Sequence, residues 1–193
     1  MTVTPTEFLS LTTEWYETFL QEPQECISRV VFREVTRSAH ELLSSSFTTE
    51  EVANQNGRQL MCELFYLYVH LLNRTAFRLF GHEFRCEFQD RLADTCLPDF
   101  IVSLFPQGSA QESQDVLNVL LEGVNQAEIL YGSKQMVVDE HNYLSDKAVV
   151  PTFAKRVSTL LGHPDNPETI VRVQTILAES LGRASLNPPC QYL

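Results

Sequence analysis

A chain of 193 residues, 44% hydrophobic and 20% charged, is long enough for one substantial core and too short for two large domains. Its formal net charge of -11 sets up a field that repels phosphate, which argues against a general affinity for nucleic acid or for anionic membranes. The longest apolar run, at about residues 60–72, contains Glu63 and His70 and falls short of a membrane span.

In chain order, Thr4-Pro5-Thr6-Glu7 has the chemistry of a helix start, with a Thr cap, proline in the first turn and an acid at the positive end of the dipole. Phe8, Leu11, Trp15 and Phe19 then share one apolar face, and Pro23 closes the segment. A second helix is expected over about Gln24 to Leu43, with Ile27, Val31, Val35 and Leu42 inward. On another side Arg29, Arg33, Arg37 and His40 form a basic row in an acidic protein. Such a row suits an anionic ligand or an acidic partner, or pairs with the chain's own carboxylates.

Ser44-Ser45-Ser46 reads as a loop and Thr48-Thr49-Glu50-Glu51 as a helix start, while Asn54-Gln55-Asn56-Gly57 is expected either to interrupt that helix or to separate a short one from the central run. Arg58 to Phe80 then forms the central helix, apolar nearly all round and therefore buried, with Gly81 as its stop. A further helix is expected from His82 to Cys96, with Pro98 breaking or kinking the path and Phe100 to Phe105 continuing as a short apolar segment. Pro106 to Ser109 is the clearest loop.

Gln111 to Leu130 has a long inner face of Val116, Leu117, Leu120, Leu121, Val124 and Ala127, and Tyr131-Gly132-Ser133 ends it. Lys134 to Asp146 reads as irregular. Helices follow over about Val150 to Leu161 and from Pro167 to about Leu181, separated by the turn Gly162 to Asn166. The tail from about 186 to 193, with its Pro188-Pro189 pair, has no helical signal. The expected fold is all-α: one helical bundle of about six to seven helices spanning residues 1–193, built around the helix at about 58–80.

Four polar residues are threaded through that central helix. Glu63, Tyr66, His70 and Arg74 fall at i, i+3, i+7 and i+11, on one side. A Glu–His pair supports proton transfer, and Arg74 adds an anion grip, so the face is a candidate small-ligand site. The same residues equally suit a buried polar network between helices. No H-E-x-x-H, no paired E-x-x-H and no clustered cysteines occur, so neither a metal nor another cofactor is expected. G-x-S-x-G, Walker and G-x-G-x-x-G loops are likewise lacking from the sequence.

The five cysteines (Cys26, Cys62, Cys86, Cys96 and Cys190) form no C-x-x-C pair and cannot all be joined within one monomer. The first residues lack the basic and apolar regions of a signal peptide, so a reducing, cytoplasmic setting is expected. The functional expectation is a non-catalytic intracellular protein-interaction domain, adaptor or chaperone-like. It binds a protein partner or itself as a homodimer, and neither nucleic acid nor membrane. The alternative is a helical bundle with an internal small-ligand or metal site on the Glu63/His70/Arg74 face.

Overall fold

The computed structural model describes residues 33–43, 55–104, 110–135 and 147–183. These hold seven α-helices: α1 (Arg33–Leu43), α2 (Gln55–Phe80), α3 (His82–Arg91), α4 (Leu97–Leu104), α5 (Ala110–Tyr131), α6 (Val149–Leu160) and α7 (Pro167–Arg183). No β-strand occurs among the described residues, apart from an isolated bridge between Gln135 and Ala148. The fold is an all-α bundle. The aromatic face with Trp15 and Phe19, the loop at 106–109, the irregular stretch from 136 on and the tail lie outside the described residues.

The 26-residue α2 is the hub, packing against α1, α3, α5 and α6. From Leu67 to Asn73 every side chain is buried, which needs neighbours on all sides of the helix and leaves no solvent-exposed face there. Phe65 stacks on Phe100 of α4 with ring centroids 4.3 Å apart, so the far side of the core is tied to the same helix. Gly81 ends α2 at φ 87, a left-handed conformation that a residue with a Cβ adopts only at a cost.

Asn56 and Gly57 sit in the first turn of α2, which begins at Gln55, where backbone N–H groups need no helical partner. Asn54 and the helix start expected before it lie outside the described residues. Of the two outcomes expected at Pro98, a break or a kink, the break does not occur. Leu92–Cys96 winds as a wider π-turn in which the Leu97 N–H bonds back to Leu92 O, and the helical path continues into α4. The widened turn immediately before the proline accommodates its missing donor and its ring.

The second expected helix is described only in its latter part, α1, where Val35 and Leu42 are buried as the pattern predicts. Arg172 of α7 donates to the backbone carbonyls of Glu41 and Leu42 at 3.1 and 3.4 Å, in the last turn of α1. Deeper in, Ser38 bonds Ser180 at 2.9 Å, and the Tyr68 hydroxyl also meets Ser180, so α1, α2 and α7 share a small buried polar contact. Asn166 caps α7 through Thr169 N–H at 3.1 Å with Pro167 opening the helix, as its sequence predicts.

Candidate functional site

The polar row on α2 faces α5 and α6, and each of its members meets a different partner. Glu63 accepts two bonds from Arg156 of α6, at 3.1 Å from Nε and 2.5 Å from Nη2. Tyr66 lies over Gly123 of α5, so closely that a Cβ at 123 would fall 2.1 Å from its Cζ. His70 Nδ1 is 3.1 Å from Glu128 Oε1, and Arg74 donates to the Lys134 carbonyl at 2.6 Å, just beyond α5. Partner numbers at 123, 128 and 134 rise with 66, 70 and 74, so α2 and α5 run in the same direction along this seam.

Glu128 is the centre of the seam. Besides His70 it accepts from Asn73 Nδ2 at 3.3 Å and, on its other oxygen, from Arg85 of α3 at 3.3 Å. Burial alone raises its pKa, but the hydrogen bonds and charges of His70, Asn73 and Arg85 together outweigh it and hold the carboxyl below its ordinary value. An ionised carboxylate only accepts, so His70 Nδ1 carries the hydrogen. His70 Nε2, Asn73 Oδ1 and Arg85 Nε are buried without a hydrogen-bond partner, as is the hydroxyl of Tyr131, whose ring lies 5.5 Å from that of His70.

On the outer side of the seam a groove of about 450 Å³ opens between α2, α5 and α6. Glu63, Tyr66 and Arg156 line one wall, Gly123 and Ala127 lie on the α5 side, and Tyr131 stands at the base. Val119 and Ile129 flank it with 66% and 74% of their surface exposed. Burial pushes the Tyr131 hydroxyl well up from its ordinary value, with Arg156 drawing it down and Glu63 up by less, so both charges act on that hydroxyl. Burial likewise raises the Tyr66 hydroxyl, reinforced by Cys62 and Glu63. Both phenols are therefore neutral hydrogen-bonding groups near neutral pH.

The four residues singled out by spacing thus share a face without converging on one cavity. Glu63 and Tyr66 line the groove, His70 is sealed behind it at 2% exposure, and Arg74 holds the end of α5. Arg156, Gly123, Tyr131 and Glu128 were not singled out. Each lies more than 50 residues from the side chain it meets on α2, and Glu128 reads in sequence as one more carboxylate on an acidic helix. Of the basic row, Arg29 lies outside the described residues, Arg33, Arg37 and His40 are on α1, and Arg37 pairs with Glu41 one turn on at 2.9 Å. Glu63 itself is paired with Arg156.

Among the described residues no group of three His, Cys, Asp or Glu side chains could hold a metal ion, and no helix is long and apolar enough to cross a membrane. Compared with protein-family models, with curated proteins and with solved structures, the chain matches none.

Proposed function

We propose that this chain is a non-catalytic protein-interaction domain, adaptor or chaperone-like and working in the cytoplasm, that docks an apolar segment of a partner protein in the α2–α5–α6 groove. The observation that carries the reading is the exposure of Val119 and Ile129 on the flank of that groove. Apolar side chains beside a concavity gain free energy when a partner removes them from water, at roughly 25 cal/mol per Å².

Charge narrows the partner. Helix α5 contains no Lys or Arg, and Asp115 and Glu122 on it are exposed, within a protein of net charge -11. A segment carrying apolar residues at helical spacing together with Lys or Arg on its flanks fits that surface, and electrostatic attraction raises its rate of encounter. The cytoplasmic setting rests on the five cysteines and their spacing.

Selection from a library of helical peptides on the full chain tests the reading. Enriched peptides should share an i, i+3, i+4, i+7 apolar row with flanking basic residues, and should bind Val119→Asp or Ile129→Asp at least about tenfold more weakly. Peptides that bind both variants as well as the parent would sink it. A size measurement in solution separates out the case in which the occupant is a second copy: a dimer that both variants dissolve replaces the partner by the chain itself.

A further inference from the structure

Resting on that docking reading, we infer that the base of the groove is a recognition subsite for an uncharged hydrogen-bond acceptor, so that the docked segment presents an amide or carbonyl there rather than a carboxylate or an ammonium. Three observations point the same way. Tyr131 is 1% exposed, lines the groove, and its hydroxyl has no hydrogen-bond partner. A buried hydroxyl left unpaired costs about 1–3 kcal/mol, a penalty that an acceptor reaching it would remove. Glu63 and Arg156, the charged groups whose fields act on that hydroxyl, bond each other through two contacts and so neutralise one another.

That neutralisation sets the specificity. A carboxylate placed at the base meets Glu63, and an ammonium meets Arg156; each is repelled by one member of the pair without a free opposite charge to offset the cost of leaving water. A neutral amide oxygen avoids both penalties and accepts from Tyr131. The hydroxyl is fully buried, so the acceptor reaches it by displacing the outer atoms of a neighbour. Tyr66 is half-buried and the Arg156 side chain is 47% exposed, and both line this part of the groove.

Three probes on a common phenylpropyl frame test the subsite on the full chain: phenylpropionamide, phenylpropionate and phenylpropylammonium, followed by the backbone amide resonances of Gly123, Ala127 and Tyr131. The amide should bind tightest, by about fivefold or more, the scale of one hydrogen bond. Tyr131→Phe should erase that preference without loss of stability, since it removes only an unpartnered hydroxyl. Glu63→Gln should turn the preference toward the carboxylate and Arg156→Gln toward the ammonium. Equal binding of the three probes, a preference that survives Tyr131→Phe, or charge variants that leave the order unchanged would overturn the subsite. Peptides that require Val119 and Ile129 while the probes bind alike would leave the docking face standing and remove the subsite alone. An amide preference erased by Tyr131→Phe, with no peptide selected, does the reverse.

Discussion

His70 and Glu128 meet at 3.1 Å across the α2–α5 seam, one from the helix at the hub of the bundle and the other from a helix without a single basic residue. The imidazole is 2% exposed and the carboxylate side chain 24%. Glu128 is therefore held in place by its donors rather than by solvent, and it joins α2, α3 and α5 through His70 and Asn73, Arg85, and itself.

Replacing Glu128 by Ala leaves the buried donors of His70 and Asn73, and that of half-buried Arg85, without this acceptor and should cost about 2–3 kcal/mol in urea unfolding near pH 7. Glu128→Gln keeps an acceptor and the volume, and should cost about 1 kcal/mol. The carboxyl titrates lower in the folded than in the unfolded chain. Its stabilisation is thus present above the ordinary carboxylate range and lost as pH falls through the folded value. The stability gap between the parent and Glu128→Gln should accordingly close as unfolding is repeated at successively lower pH. A gap that holds steady down to about pH 3 would show that Glu128 is not titrating in the seam.

Cys62 sits one residue before the Glu63 end of the seam, and burial, followed by the charge of Glu63, pushes its thiol up to about 11. At pH 8 the thiolate fraction is then on the order of one in a thousand, against roughly a quarter for a cysteine in an unfolded chain. Alkylation read by mass spectrometry at each cysteine should therefore label Cys62 at least about a hundredfold more slowly in the folded protein than in urea. Similar rates in the two states would mean that the turn around Cys62 opens readily.

Much of this arrangement was legible in the sequence, for reasons that also mark where legibility stops. The density of large apolar residues between Leu60 and Leu72 announces a central helix, because no surface helix could hide them all. The i, i+3, i+7, i+11 spacing places Glu63, Tyr66, His70 and Arg74 on one side for the same geometric reason. What periodicity cannot carry is the identity of the opposing surface. Arg156 lies 93 residues from Glu63 and Glu128 lies 58 from His70, so only tertiary packing decides which face meets which. The continuity through Pro98 was hidden differently: the π-turn at Leu92–Cys96 is an adjustment of the backbone, and no residue type spells it.

Arg172 offers a local test of packing at the edge of the bundle. Its guanidinium covers the Glu41 and Leu42 carbonyls at the end of α1, and the interaction joins the positive charge to the negative pole of that helix. Arg172→Met keeps the aliphatic stem and removes the donors, so it should cost about 1–2 kcal/mol. Hydrogen exchange should rise first in α1, with α2 unaffected. Exchange that rises evenly across the bundle would assign Arg172 a global role instead.

Gly123 gives the sharpest test of the groove wall, because two effects of opposite sign meet there. Alanine is the better helix former by about 0.8–1.0 kcal/mol, and Gly123 is in the middle of the 22-residue α5. A Cβ at that position, however, would lie 2.1 Å from Tyr66 Cζ and 2.5 Å from its hydroxyl oxygen, distances at which the ring must leave its seat. Forcing a packed side chain aside costs about 1–3 kcal/mol, so Gly123→Ala should destabilise the parent on balance by about 1 kcal/mol. In a Tyr66→Ala background the obstacle is gone and the same substitution should stabilise by up to about 1 kcal/mol. The change of sign between the two backgrounds, read by urea unfolding of the four proteins, is the signature of the contact. If Gly123→Ala stabilised both, Tyr66 would not rest on α5, and the groove wall it forms would have to be redrawn.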